Sequence, residues 1–388
     1  MSVQYKYYNN LKILLLFFIN LIWSANNNPI FLIHGFMGWG RDELNSYYYW
    51  GGEQDLQELL KDKGFEVYTL SVGPISSNWE RAIEAYTQIK GGCVDYGYEH
   101  SEKYNIIQEP LEKCYQGLYP EWDENHPIHI IGHSQGGLTA RMLEYLLYNI
   151  INDEKSQLLS KSYKGYIKSI TTISTPHNGT SLAPTINKTF PSFQKLSPFL
   201  GILNNVFFNY YYNFDLEQWG LYKNENETYY EYLKRINNSN IKTTKNSASW
   251  DLSFNGAEKF NFIYKSDSLT YYFSYSTSSS IQINNSIHHK PNKNMNYYLK
   301  PVSRLMSSIE LPDSSWHQND GIVNTISMNG PHDEKIIQYN GFPQTGVWQH
   351  MGILYLDHHQ ILLRGLEKNN TEKIINTYLN HCNILYKL

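Results

Sequence analysis

The chain has 388 residues, 41% of them hydrophobic, so it can bury a large core, and an α/β domain with insertions uses that length as one unit. Its formal net charge is −4 and it carries no long basic run, which argues against a nucleic-acid partner.

At the start, Lys6 and Lys12 precede an apolar run over 13–23, broken by Asn20, and Ser24-Ala25 supplies small residues for cleavage. This is the pattern of a signal peptide over 1–25, with an uncleaved anchor as the alternative; no other stretch reads as long and apolar enough to cross a bilayer. Residues 26–388 are read as a single domain. The apolar strand 30–33 runs into His34-Gly35-Phe36-Met37-Gly38-Trp39-Gly40. Esterases of the α/β-hydrolase type place an oxyanion donor just after such a strand, which makes Phe36 the candidate; an apolar loop plug is the competing reading. Leu56, Leu59 and Leu60 recur at helical spacing up to Gly64, and 65–70 alternates as a strand. That βαβ rhythm predicts a parallel sheet. Residues 71–118, richer in Tyr, Gly and charge, break the rhythm and read as an insertion with its own helices. Of the three cysteines, Cys93, Cys114 and Cys382, one must stay unpaired within the chain; a Cys93–Cys114 bridge and three buried thiols both suit the residues.

The most informative stretch is 128–137. Ile128-His129-Ile130-Ile131 is a buried-strand pattern, and Leu138, Met142, Leu143, Leu146 and Leu147 recur at helical spacing. Between them stands Gly132-His133-Ser134-Gln135-Gly136. A nucleophilic serine raised above a sheet edge needs a strained turn, and a side chain two positions to either side would strike the incoming strand or the outgoing helix. Gln135 then opens the helix, so its N–H points to where charge develops on an attacked carbonyl. Another strand over 166–174 leads into Thr175-Pro176-His177-Asn178-Gly179-Thr180. The dense apolar stretch 185–212 reads either as a core helix or as an amphipathic cover over an apolar pocket, and its place after the nucleophile favours the cover. Residues 238–250 and 276–296 are polar and read as loops. Asn-x-Ser/Thr triplets begin at Asn178, Asn187, Asn226, Asn237, Asn284 and Asn369, as suits a glycoprotein of a eukaryotic secretory route.

A serine nucleophile needs a base and the base needs a carboxylate, in the order Ser, acid, His for this type of fold. Asp320, on a turn before Ile322-Val323, is the acid of choice; Asp313 and Asp333 compete from more polar surroundings. Asp357-His358-His359-Gln360 follows an apolar run at 353–356 and supplies the base, with His358 and His359 not separable by spacing.

With these residues placed, the chain resembles the secreted triacylglycerol lipases of the bacillus and staphylococcal type. The shared motifs include His34-Gly35-Phe36, Tyr49-Trp50-Gly51-Gly52, Val72-Gly73-Pro74, Gly91-Gly92 with Val94-Asp95-Tyr96-Gly97, and His133-Ser134-Gln135-Gly136-Gly137. Thr175-Pro176-His177, Asp215-Leu216-Glu217-Gln218-Trp219-Gly220-Leu221 and Asn319-Asp320-Gly321-Ile322-Val323-Asn324 follow in order. The resemblance implies an α/β-hydrolase with a mostly parallel sheet, a helical lid over 185–212 and a small zinc-type subdomain. It implies Ser134 as nucleophile, Asp320 as orienting acid, His358 as base, and the N–H groups of Phe36 and Gln135 as the oxyanion hole. The substrate would be an acylglycerol at an oil–water or membrane interface, with no cofactor needed for the chemistry. A phospholipase, a short-chain carboxylesterase or a catalytically inert lipid-binding protein of the same fold are the alternatives. The family's zinc site has two Asp and two His; here Glu80 replaces one Asp, His100 and Asp251 match, and the second His falls at or near Ile106, so a structural zinc held by three ligands and water and a plain polar cluster are both open. At the family's calcium site Gln360 stands where a carboxylate is expected, so calcium is not expected. The location implied is extracellular, or the lumen of the secretory and endolysosomal pathway.

Overall fold

Apolar residues on both sides of short strands set the architecture. In the computed structural model, which describes residues 26–388 except 112, 152–153, 184–211, 310 and 367, the strands are β1 Ile30–Ile33, β2 Val67–Leu70, β3 Gly92–Cys93, β4 Cys114–Tyr115, β5 Ile128–His133, β6 Ile167–Ile173, β7 Tyr271–Thr277, β8 Ser280–Gln282, β9 His289–Pro291, β10 Ile336–Gln338 and β11 Trp348–Leu354. The leader read over 1–25 and the cover read over 185–212 lie outside the described residues, apart from Tyr212.

Seven strands form one sheet in the order β10-β11-β7-β6-β5-β1-β2, and every neighbouring pair is parallel. Parallel strands need crossovers that cover both faces, and the side chains obey that demand. On β1, Phe31 and Ile33 join one apolar cluster while Ile30 and Leu32 join the other. The first cluster is closed by helices Asn78–Lys90 and Gln135–Tyr148 through Ala82, Ile89, Leu143 and Leu147. The second is closed by Leu56 and Leu60 of helix Leu56–Lys61 and by Tyr378 and Leu385 of helix Lys368–Leu385. Each large aliphatic side chain so buried stabilises the fold by ~1.5–3 kcal/mol, so a one-residue slip of β1 would exchange its two faces but expose neither.

The chain passes from β1 outward to β2, returns to β5 on the other side of β1, and continues through β6 and β7 away from it. The reversal falls between β1 and β5. Open α/β sheets bind ligands beyond the carboxyl ends of the strands at such a switch point, and the segments at those two ends are His34-Gly35-Phe36 and Ser134.

Helix Asn78–Lys90 departs from the expected insertion: it is a core helix with Ala82, Ile83, Ala85 and Ile89 buried against the sheet. The part of 71–118 standing off the sheet holds helix Tyr98–Tyr104 and the β3–β4 ribbon, where Cys93 faces Cys114 across the ladder and the two are disulfide-bonded. Cys382 is a free, buried thiol. The polar stretch 276–296 includes the end of β7 and the β8–β9 hairpin. Among the triplets, Asn226 and Asn284 are exposed, whereas the Asn178 amide donates to the Gly330 carbonyl at 2.9 Å and accepts the His332 N–H at 2.9 Å.

Candidate active site

Strand β5 delivers the chain into a turn at Ser134 with φ 56° and ψ −127°, and the helix begins at Gln135. Such a conformation costs a non-glycine residue ~1–3 kcal/mol and persists only where the surroundings enforce it. Here they do. A Cβ on Gly132 would lie 2.4 Å from the Gly136 carbonyl oxygen, and one on Gly136 would lie 2.1 Å from that of Ile33. The two glycines let strand, turn and helix approach closely enough to lift Ser134 above the sheet.

The N–H of Gln135, in the first helical turn, has no acceptor within the helix and lies at the positive end of its dipole. The Gln135 side chain is drawn away, its Nε2 donating to the Ser76 carbonyl at 3.1 Å. In the loop after β1, Tyr49 Oη accepts the Gly35 N–H at 2.9 Å and the Pro74 carbonyl accepts that of Met37 at 2.8 Å. Phe36, between them, lines the same small cavity as Ser134 and His358. Arg81 anchors this loop. Fully buried, it donates to the carbonyls of His34 and Gly73 and, through Nε, to Thr139 Oγ1 at 2.8 Å on the nucleophile helix. Burial lowers its pKa to about 10, so it keeps its charge at neutral pH.

His358 Nδ1 donates to Asp320 Oδ2 at 2.7 Å. Every other acceptor position of that buried carboxylate is used: Oδ1 accepts the N–H groups of Ile322 and Val323 at 3.0 and 2.8 Å, and Oδ2 accepts the Thr277 hydroxyl at 2.7 Å. Four donors fix its orientation. The competitors lie elsewhere. Asp313 caps a short helix with its side chain on Ser315, and Asp333 pairs with Lys265 at the surface. His359 Nδ1 contacts Tyr298 Oη at 3.1 Å, so the two adjacent histidines are told apart by their partners. Tyr49, Pro176, Thr180, Leu252, Ile322, Val323 and His359 complete a cavity wall that mixes apolar and polar side chains.

Sequence alone does not single out Thr277, Arg81 or Tyr49 as site residues. Tyr49 stands inside Tyr49-Trp50-Gly51-Gly52, the signal that points to it, whereas Thr277 sits in a stretch that reads as loop.

The metal candidates behave differently. His100 Nε2 comes within 3.8 Å of Glu80 Oε1, but Glu80 already accepts the Gln218 amide on Oε2 at 3.0 Å and the Asn246 amide on Oε1. Asp251 Oδ2 accepts the Asn78 N–H at 2.6 Å. Ile106 offers no donor atom, and among the described residues no group of three His, Cys, Asp or Glu side chains could hold a metal ion. Zinc gathers four ligands at about 2.0–2.2 Å; with Ile106 at the place of the fourth and Glu80 already bound by two amides the set is incomplete, although His100 Nε2 is buried without a hydrogen-bond partner among the described residues. Near the base, Gln360 Oε1 accepts the Asp357 N–H at 3.0 Å and Nε2 donates to the Asn294 carbonyl at 2.8 Å. An amide occupies both directions where calcium would want carboxylate oxygens.

A parallel sheet with its chain reversal beside β5, a strained serine between strand and helix, and a late Asp–His pair define an α/β hydrolase. Residues 26–381 match the family described as "Lipase-like, C-terminal domain", and the chain belongs to that family. It is 34% identical over 339 residues to a lipase of Staphylococcus epidermidis, an alignment covering 84% of this chain and 48% of the relative. The chain thus spans about half the length of the curated relatives it matches. Among solved structures, EstA from Clostridium botulinum superposes with a TM-score of 0.84 at 36% identity, covering 95% of this chain and 90% of that one. Staphylococcus hyicus lipase superposes with a TM-score of 0.80 at 32% identity, covering 94% and 97% respectively. The resemblance read from the motifs is therefore borne out at the level of family and fold.

Proposed function

We propose that this chain is a serine lipase that hydrolyses the carboxylic ester bonds of acylglycerols through an acyl-enzyme. The observation that carries the reading is the 2.7 Å Asp320–His358 bond behind a cavity that His358 shares with the strained Ser134. With Nδ1–H held by Asp320, the imidazole presents Nε2 as its basic nitrogen. His358 Nε2 takes the proton as Ser134 Oγ attacks the ester carbonyl, and the oxyanion rests on the N–H groups of Phe36 and Gln135. The proton passes from His358 to the leaving alkoxide, releasing the alcohol. Water then attacks the acyl-enzyme, giving its proton to His358, and the free acid leaves as Ser134 recovers it. The staphylococcal relatives named lipases support an acyl-lipid substrate, and the Phe36, Leu252, Ile322 and Val323 side chains lining the cavity suit an acyl chain.

We infer further that the enzyme is secreted, as the leader-like residues 1–25 suggest, and among the described residues no helix is long and apolar enough to cross a membrane. No metal is needed for the steps above, and the side-chain amides at Glu80 and Asp357 support a fold that stands without one. The test is a substrate profile of wild type beside Ser134→Ala on emulsified triglyceride, phospholipid vesicles and soluble short-chain esters. Preference for emulsified triglyceride, abolished by the substitution, supports the reading. Preference for either other substrate would replace lipase by phospholipase or short-chain esterase. Ester hydrolysis that survives Ser134→Ala would overturn the serine mechanism, and a wild type inert toward all three would favour a lipid-binding protein.

A further inference from the structure

Two motif residues have no part in the reaction as described, yet they lie buried between its two working loops. Tyr49, 5% exposed, accepts the Gly35 N–H with Oη at 2.9 Å and lies 2.7 Å from His133 Nδ1. His133, fully buried, places Nε2 3.1 Å from the His358 carbonyl oxygen. One assignment of protons satisfies these contacts. Nε2 faces a carbonyl, which only accepts, so Nε2 carries the hydrogen of the neutral ring. Nδ1 is then an acceptor, and the Tyr49 hydroxyl, already accepting from Gly35, turns its one proton to it.

We propose that Tyr49 and His133 are positioning residues for ester hydrolysis, forming a proton-ordered relay that locks the oxyanion loop at Gly35 to the base loop at His358. The inference rests on the hydrolase reading above. The relay starts at the residue before Phe36 and ends on the backbone of the base, so it fixes the distance between the oxyanion donor and the imidazole. Chemistry of this kind is sensitive to displacements of about 1 Å. The packing supports a rigid link. The Tyr49 ring sits edge-on to Trp39 and Trp50, with the Arg364 guanidinium 5.5 Å from its centre. A Cβ on Gly35 would lie 2.6 Å from Ser134 Cβ and 2.9 Å from Tyr49 Oη, so glycine at 35 is what allows the contact. The relay also keeps charge where it is used. The rings of His133 and His358 are 4.6 Å apart, and a second cation there would oppose the imidazolium that forms on His358. Burial, with His358 and Arg364 adding repulsion, holds the His133 pKa well below its ordinary value.

The experiment is a double-mutant cycle on purified enzyme with a soluble short-chain ester, measuring kcat and KM separately, with Tm measured for each variant. Tyr49→Phe keeps the ring and loses both bonds; kcat is expected to fall about 10- to 100-fold while KM stays within about twofold, since the variant perturbs the transition state more than substrate binding. His133→Phe is expected to fall by a similar factor, and the double variant no further than the worse single one. His133→Gln, which retains an acceptor and a donor, is expected to recover most of the lost kcat. Tyr49→Phe with kcat within twofold of wild type, additive losses in the double variant, or a loss confined to KM would each overturn the relay. If His133→Phe does not fold, Tyr49→Phe and His133→Gln decide the matter alone. Wild type that hydrolyses the ester while Tyr49→Phe matches it refutes only the relay, whereas inert wild type refutes the hydrolase reading.

Discussion

Replacing Asp320 by Asn changes few atoms and, on this geometry, nearly all of the catalysis. The Ile322 and Val323 N–H groups at 3.0 and 2.8 Å require an acceptor, so the carbonyl oxygen of the introduced amide must take the Oδ1 position. The amide nitrogen then faces His358 Nδ1 and Thr277 Oγ1, each of which donated at 2.7 Å to the carboxylate. A donor opposite Nδ1 forces that nitrogen to accept, which moves the imidazole proton to Nε2, the atom that must receive the Ser134 proton. Flipping the amide instead sets its N–H against two N–H groups in a fully buried site. A base frozen in the wrong tautomer loses about 10⁴ in kcat, near 5.5 kcal/mol of transition-state stabilisation. The assay is steady-state hydrolysis of a soluble ester at neutral pH, with circular dichroism and Tm to establish folding. A folded variant within about tenfold of wild type would refute the assignment of Asp320.

Thermal and chemical stability should follow the buried titratable groups. Burial lowers His34, His129 and His381 to about 3, and His133 and His177 also lie well below their ordinary value. A depressed imidazole contributes stability that is complete above its unfolded pKa of about 6.5 and is lost as pH falls below it, at ~1.4 kcal/mol per unit for each group. Buried acids pull the other way, with Asp215 and Glu144 pushed up to about 8 and Asp357 to about 6. The five imidazoles outnumber these acids, so stability should already fall as pH drops below about 6.5, and fall most steeply below about pH 4, where the acids are protonated in both states and no longer offset the imidazoles. A native fold persisting at pH 3 by circular dichroism would contradict this. Glu144→Gln removes a group whose raised pKa makes the wild type less stable as pH rises; relative to wild type it should gain about 1.4 kcal/mol per pH unit between pH 5 and 8 in urea titrations, and a parallel pH dependence would count against it. Because amides already hold Glu80 and Asp357, dialysis against EDTA should leave Tm unchanged within about 1 °C and activity intact, and elemental analysis should find no stoichiometric zinc; a drop of several degrees on chelation would refute the metal-free reading.

What could be read in the sequence was what local sterics and periodicity control. The elbow at Ser134 was legible because the glycines at 132 and 136 are a local requirement, and the parallel sheet was legible from β-branched runs separated by helical spacing. Strand β7 was not, because Tyr271–Thr277 is rich in hydroxyl residues. Its buried Ser274 and Ser276 are satisfied by Asn329, a partner that no hydropathy pattern reveals. The choice between His358 and His359 likewise depended on contacts far along the chain, to Asp320 and Tyr298. At the expected zinc site the motifs located Glu80, His100 and Asp251 but not the Gln218 and Asn246 amides that occupy the carboxylate. The 71–118 stretch read as an insertion because its helix Asn78–Lys90 buries Asn78, Glu80, Arg81 and Glu84, polar residues that hide a core helix from any apolar periodicity.

The central claim is that Ser134 is an activated nucleophile, and a fluorophosphonate probe tests it in one step. Incubated with folded protein at neutral pH, the probe should modify a single residue, located by peptide mass spectrometry at Ser134, with labelling lost in Ser134→Ala and strongly slowed in His358→Ala. Folded wild-type protein that leaves Ser134 unlabelled, or that reacts at another residue, would contradict the account.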